Sequence, residues 1–405
     1  MSFDAAALRA EFPLLASATM PLHYLDSAAT SQIHHAALDA MVRHETTARA
    51  NVMRGTYRLA EAATEAYETA RTQAARFLNA AAPDEIVFTA GATAALNLVA
   101  YAFGGTLRPG DEVVISLAEH HSNFVPWQML RDRAGICLKF LPLTAEGRID
   151  SAALPALVTS RCRLIAVTHC SNVTGAVSDV AAIVAAARAV GARVLLDGAQ
   201  QVQHGPADVQ ALGIDFYAFS GHKCYGPNGI GVLWGRADAL DCLPPFQGGG
   251  GMVGEVTPEA TSFAMPPYRF EAGTPPIAQA VGLGAALDWM VTLPWPAIHV
   301  HEQALLQRLL AGLATRPQVR VLGPADLTAR QPIVAFNLAG LHPHDVCQVL
   351  DRHGVALRGG HHCAQPLMRH FGVDGTNRAS IAPYNTTSDI DALLAGLDDA
   401  IEVLA

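Results

Sequence analysis

Through the middle of the chain, short apolar and β-branched runs alternate with longer Ala- and Leu-rich runs of helical period. DEVVISL (111–117), CRLIAVTH (162–169), ARVLLDG (192–198), DFYAFSG (215–221) and IGVLWG (230–235) read as buried strands. Between them, VAAIVAAARAVG has the apolar spacing of a helix closed by glycine, and GATAALNLVAYAF reads as a helix entered through a turn. Strands bounded by helices in this order predict an α/β fold: a largely parallel sheet with helices on both faces.

The texture changes after about residue 285. A helical stretch at 296–314 leads to PIVAFNL (332–338), HDVCQVLDRHG, VALRGG and a last helix, DIDALLAGLDDAIEVL. This predicts a smaller α+β domain of residues 286–405, joined by the N-terminal segment 1–20, beside a large domain of 21–285. There are no internal repeats. QGGGGMVGEV (247–256) reads as a hairpin or mobile flap rather than a phosphate cradle.

Composition narrows the class. With 405 residues, 51% of them hydrophobic and 16% charged, the chain is long enough for two domains and too apolar for disorder. A formal net charge of −9 gives no electrostatic case for nucleic acid or an anionic membrane surface. No run approaches the roughly 18 apolar residues of a membrane span. Asp4, Arg9 and Glu11 interrupt the start where a secretion signal stays apolar. Seven cysteines without regular spacing do not form a disulfide framework, so reduced thiols and a cytoplasmic setting are expected.

The candidate chemistry sits at strand ends. AFSGHKCYGPNGIG places Ser220, His222 and Lys223 directly after one buried strand, and VLLDGAQ delivers Asp197 and Gln200 to the same edge. Lys223 alone reads equally well as a solvated loop charge. Asp197, closing an apolar run, needs a partner to offset its desolvation. Pyridoxal phosphate explains the set: it needs a lysine to condense with its aldehyde, an acid for its ring nitrogen and donors for its phosphate. Ser220, His222 and the TAGAT turn (89–93), which opens a helix, can supply the donors, and His120 of AEHHSN is placed to stack on the ring.

LDGAQ, SGHK, YGPNGIG, FEAGTP (270–275) and RGGHHCAQP follow one another in the order seen in fold-type I, class V aminotransferase-like enzymes. The chain resembles the group II cysteine desulfurases, the branch that also holds cysteine sulfinate desulfinases. SNVTG (171–175), HSNFVPWQ (121–128) and RASIAPYNT (378–386) extend the match from about Leu25 to the C-terminus. The resemblance implies a fold-type I pyridoxal-phosphate-dependent transferase, its large domain built on a mostly parallel seven-stranded sheet and its smaller α+β domain carrying the cysteine loop. It implies Lys223 as the residue that carries the cofactor, Asp197 on the ring nitrogen, Gln200 on the phenolic oxygen and His120 on the ring face. Thr93, Ser220 and His222 would hold the phosphate, with Thr274 reaching in from a second subunit of a homodimer. Asn172, Arg358 and Arg378 would receive the substrate carboxylate. Two positions depart from the family pattern: Ala92 replaces a threonine of the phosphate turn, where backbone N–H groups are expected to cover the loss, and Met53 of NVMRG replaces a histidine near the site entrance.

Cys363 then has three readings. A metal site would need a second ligand cluster beside His361 and His362, and no metal is expected. A buried structural thiol is the reading given to the other six cysteines. For Cys363 the flanking RGGHH favours a bent, exposed loop, with Arg358 and the histidines favouring thiolate over a thiol of ordinary pKa about 8.5. The expected catalytic residues are therefore Lys223, His120 and Cys363, acting on L-cysteine to give alanine and an enzyme persulfide that a sulfur-acceptor protein receives. A selenocysteine lyase or sulfinate desulfinase is the near alternative, a same-fold aminotransferase or epimerase a further one, and a sulfur-carrier scaffold without turnover the non-enzyme one. His34, His35, His342 and His344 read as surface or helix-end groups, and Trp127 and Tyr384 as packing residues beside the site.

Overall fold

The computed structural model describes residues 3–404; Met1, Ser2 and Ala405, which the expected bounds of the small domain include, lie outside them. The central sheet has seven strands: β1 (Ile86–Thr89), β2 (Glu112–Ser116), β3 (Cys137–Leu141), β4 (Cys162–Thr168), β5 (Arg193–Asp197), β6 (Phe216–Ser220) and β7 (Gly231–Gly235), in the order β1-β7-β6-β5-β4-β2-β3. Only β7 runs against its neighbours, pairing antiparallel with β1 and β6. The five strands expected from sequence lie within one residue of their predicted ends.

Both faces of this sheet are covered, which explains the unbroken apolar runs. Val114, Ile165, Val167, Val194, Leu196, Tyr217 and Phe219 pack on one side. Their sequence neighbours Val113, Ile115, Leu164, Ala166, Leu195, Phe216 and Ala218 pack on the other. That is the two-residue alternation of a strand, with a core on each side. Helices α1 (Arg58–Phe77), α2 (Val180–Val190) and α3 (Ile277–Val291) cover the first face; Ala92–Ala102 and Val125–Ala134 cover the second.

The C-terminal sheet is antiparallel, with β8 (Val319–Leu322), β9 (Ile333–Leu338), β10 (Arg358–Gly360) and β11 (Thr376–Ser380) in the order β8-β9-β11-β10. Helices Trp295–Ala314, Pro343–Arg352 and Thr387–Leu404 pack on one face. The N-terminal segment straddles the two bodies. Leu8, Phe12 and Leu15 join the core of the large sheet, whereas His23–Tyr24 pairs in parallel with Val355–Ala356 and Asp26 bridges to Ser380.

Residues 253–256 and 261–263 form the hairpin expected after the glycine run. Among the described residues no single helix is long and apolar enough to cross a membrane; the apolar pair Ile277–Val291 and Trp295–Ala314 is bent by 88°.

Candidate active site

The large domain's functional side chains leave its sheet at the carboxyl ends of parallel strands or their following loops, where open α/β sheets bind ligands, whereas Arg358, Arg378 and Cys363 come from the antiparallel C-terminal sheet and its loop. β5 ends on Asp197, β6 on Ser220 with Lys223 one turn further, β4 opens into the loop of Asn172, and β2 into that of His120. Glycines let the walls close: a Cβ on Gly231 would sit 2.5 Å from Gly91 Cα, and Gly91 itself has φ 148°. This contact sets the N-terminus of Ala92–Ala102 against Ser220, whose Oγ accepts the Ala92 N–H at 2.8 Å.

A single cavity of about 310 Å³ gathers almost all the expected residues: Ala92, Thr93, His120, Asn172, Asp197, Gln200, Ser220, His222, Lys223, Arg358, Cys363 and Arg378. Thr274 is the exception. It lines a separate cavity of about 180 Å³ together with Met53, so neither residue faces its own chain's Lys223.

Burial sets the charge states. It lowers the Lys223 amine to about 8, with Asp197 opposing that shift, so roughly a tenth of the amine is uncharged at pH 7. Burial raises the Asp197 carboxyl, while the Ala199 N–H and Lys223 pull it back. His120 is pushed down to about 3 by burial and then by Lys223, and His222 to about 4 for the same two reasons. Both rings are neutral. His120 Nδ1 accepts the Ser122 N–H at 3.1 Å, which fixes its orientation.

The donor set suits a flat anionic ligand with a basic ring nitrogen. Ser220, Thr93 and Ser122 bring hydroxyls to one end, Thr93 and Ser122 being bonded at 2.7 Å. The first turn of Ala92–Ala102 adds the Thr93 and Ala94 N–H groups, which precede the first intrahelical bond, from Ala95 N–H to Gly91 O. At the other end lies the buried carboxylate of Asp197, which accepts the Ala199 N–H at 3.0 Å. Gln200 gives an amide N–H to Ala28 O at 2.8 Å and leaves its buried Oε1 without a partner among the described residues.

Cys363 is exposed and lines the same cavity. The preceding glycines serve differently from expectation. Arg358–Gly360 is an edge strand rather than a loop, and Gly359 is required because a Cβ there would lie 2.8 Å from Pro343 O. The bend comes after it, with His362 at φ 51° and Cys363 at φ 54°. Two consecutive left-handed non-glycine residues cost about 1–2 kcal/mol each. Three anchors hold them: Asn172 Nδ2 donates to His362 O at 2.7 Å, the His121 N–H donates to Cys363 O at 2.7 Å, and His362 Nε2 lies 2.8 Å from Thr376 Oγ1. Asn172, expected to receive a substrate carboxylate, here holds the loop that carries Cys363.

Arg378 and Arg358 do not point freely into the cavity either; both are paired with Asp26, a residue sequence reading left unassigned. Ser122 and Glu119 were likewise missed. Glu119 is buried between Ser116 and Asn123, and burial raises its carboxyl to about 8, with Asp197 adding to the shift. It is neutral at pH 7, which spares Asp197 a second negative neighbour. Because the unfolded carboxyl titrates near 4.5, the unfolded chain releases between about 4.5 and 8 a proton the folded chain keeps. Stability therefore falls as pH rises through that window. Glu119→Gln is expected to remove this slope, so that the wild-type melting temperature drops by a few degrees relative to the variant between about pH 5 and 8. Parallel curves for the two proteins would show that Glu119 titrates normally.

Other expectations need correction. His34 does cap a helix, accepting the Ala36 N–H, but it is 1% exposed and stacked on Trp289 because Phe12 and Glu11 close over it. Cys162, Cys170 and Cys224 are buried thiols as expected. Cys137 and Cys242 are exposed, one beginning the edge strand β3 and the other ending a short helix. Trp127 and Tyr384 are fully buried packing residues.

Residues 23–393 match the family model for aminotransferase class-V. Curated relatives include a cysteine desulfurase of Dickeya dadantii, 49% identical over 96% of this chain and 95% of that one. Another, from Pectobacterium atrosepticum, is 48% identical over 98% of both chains. The crystal structure of the cysteine desulfurase CsdA from Escherichia coli superposes with a TM-score of 0.93 at 43% identity, covering all of both chains. An apo cysteine desulfurase from Thermococcus onnurineus gives the same score at 37% identity over 98% of each chain. With the strand-end lysine, carboxylate and thiol already in one cavity, these matches place the chain in the class-V aminotransferase family, among its cysteine desulfurases.

Proposed function

We propose that this protein takes L-cysteine, releases L-alanine and keeps the sulfur on Cys363 as a persulfide for an acceptor protein, with pyridoxal phosphate held between Asp197 and the hydroxyl end of the cavity. The observation that carries this reading is the meeting of Lys223, Asp197 and Cys363 in one cavity of about 310 Å³. That volume is at the small end of ligand sites, as an amino acid beside a flat ring requires.

When bound, the cofactor supplies the electron sink that loosens bonds around the substrate's Cα. Asp197 would hold the ring nitrogen's proton, His120 would stack on the ring, and Ser220, Thr93, Ser122 and His222 would hold the phosphate. Gln200 has a second amide N–H for the phenolic oxygen. Arg378 takes the substrate carboxylate. Lys223 moves the proton at Cα, a role suited to an amine whose pKa burial has brought down to about 8.

Cys363, as thiolate, attacks the substrate's sulfur: an S–S bond forms as the Cβ–S bond breaks. The electron pair of the broken bond returns to the carbon fragment, which takes up protons and leaves as alanine. Cysteine and one enzyme thiol thus become alanine and one persulfide, with no outside oxidant or reductant. The exposure of Cys363 supports the second half of the cycle, in which an acceptor must reach the persulfide.

The same reading includes a cytoplasmic homodimer with shared sites. It is supported by Thr274 and Met53, which lie together away from their own chain's cavity, Met53 being exposed at a positive φ. Glu271 anchors that segment by accepting from Arg71, Tyr67 and the Phe88 N–H.

Incubating the purified holoenzyme with L-cysteine and a reducing thiol tests the reaction. Equimolar sulfide and alanine are expected. A keto acid or D-cysteine as the main product would instead identify an aminotransferase or an epimerase.

A further inference from the structure

Arg358 and Arg378 stand directly opposite one another on the antiparallel strands β10 and β11. Like charges in that register repel, and the pair persists here because a carboxylate is set between them. Asp26 Oδ1 accepts from Arg378 Nη2 at 2.9 Å, and both Asp26 oxygens accept from Arg358 Nε, at 3.1 and 3.0 Å. Asp26 is in turn held by its backbone bridge to Ser380, two residues beyond Arg378.

The two arginines differ in what remains to them. Arg378 is 2% exposed, gives Nη1 to Asn172 O at 2.9 Å, and has a buried Nε with no partner among the described residues. It is a fixed guanidinium with a donor in reserve at the cavity wall. The Arg358 side chain is 49% exposed and turns both Nε and Nη2 to Asp26. It lines the cavity with Cys363, the thiol that on this reading meets the substrate's sulfur. Asp26 does not line the cavity, although Ala28 and Ala29, two and three residues on, do.

Resting on the desulfurase reading above, we propose that Asp26 is the residue that sets sulfur-group specificity. It aligns Arg378 for the α-carboxylate and neutralises Arg358, so that the far end of the cavity favours an uncharged thiol over an anionic sulfinate or sulfonate. Arg358 is then a cation held in check rather than a second carboxylate receptor. Removing the charge of Asp26 while keeping its shape releases Arg358 to pair with an oxyanion on the substrate's side chain.

Two non-desulfurated probes separate this role from general damage: L-alanine, with no charge at Cβ, and L-cysteate, with a fixed sulfonate there. Their dissociation constants are read from the absorbance change of the bound cofactor in the holoenzyme. Asp26→Asn is expected to raise the preference for cysteate over alanine by about tenfold, the scale of one unit charge about 4 Å away when water screens most of its field, as at the half-exposed Arg358. Arg358→Gln, at a half-exposed position, is expected to lower that preference severalfold, and adding Asp26→Asn to it to change the preference less than twofold. With steady-state cysteine turnover, Asp26→Asn should act mainly through KM, as lost alignment of Arg378 requires. A preference unchanged within twofold in both single variants overturns the proposal. So does an equal loss for the two probes accompanied by a fall in kcat alone, the mark of a structural role. If the wild-type holoenzyme bound neither probe, the desulfurase reading itself would fail, a result distinct from either of these.

Discussion

Cys363→Ala is expected to lower the turnover of L-cysteine by about a thousandfold while leaving cofactor binding and its absorbance unchanged. The size follows from the role: a nucleophile that forms the S–S bond as the Cβ–S bond breaks cannot be replaced by water at the same place. The spectral constancy follows from the structure. Cys363 touches the β2 loop through its backbone, whose carbonyl accepts the His121 N–H, so removing the Sγ leaves the loop's anchor in place. Asn172 and His362 hold the rest of the turn through atoms the substitution does not alter. Activity on selenocysteine or cysteine sulfinate should survive in the variant to within about tenfold, because those groups depart without an attacking thiol. Cysteine turnover near the wild-type rate in Cys363→Ala would remove the persulfide from the mechanism. A parallel loss on all three substrates would assign Cys363 to the integrity of the site instead.

The central sheet was legible because both of its faces are buried, and β2, β4, β5, β6 and β7 therefore print as apolar runs. β3 was not. It is an edge strand with Cys137 exposed and Lys139 half-buried, the lysine turned to Glu112; its pattern is that of any half-wet segment. Lys223, Asp197 and Cys363 were legible through their place after strands or in an ordered run of motifs. What sequence could not carry was pairing over distance. Asp26 meets Arg358 across 332 positions and Arg378 across 352, and no local pattern marks an aspartate as the counter-ion of two arginines. The same limit hid the bond from Asn172 to His362, which lies 190 positions away. Glu119 was in view within AEHHSN, yet its neutrality arises from burial beneath β2 and β4, a property of the packed core rather than of its neighbours in the chain.

Lys223→Ala is expected to abolish turnover, by a thousandfold or more, and to change the colour of the protein, whereas Cys363→Ala changes only the first. Proton transfer by a placed side chain contributes about 10²–10⁴-fold, and here the same amine also ties down the cofactor. Asp197 and the hydroxyls of Ser220, Thr93 and Ser122 do not depend on Lys223, so the variant should still take up pyridoxal phosphate, with an absorbance characteristic of the free aldehyde. The wild-type amine can be tested by pH. Burial brings it from 10.5 to about 8, so its uncharged fraction rises from roughly a tenth to roughly nine tenths between pH 7 and 9 and then saturates. Reconstitution of the apoprotein should therefore speed up about tenfold over that range and level off. A lysine of ordinary pKa would gain about a hundredfold over the same range and still be climbing. A rate that kept rising beyond pH 9 would mean that Lys223 meets the cofactor as a solvated amine, and that the dry strand-end position from which its chemistry is argued is not the one it occupies when the cofactor arrives.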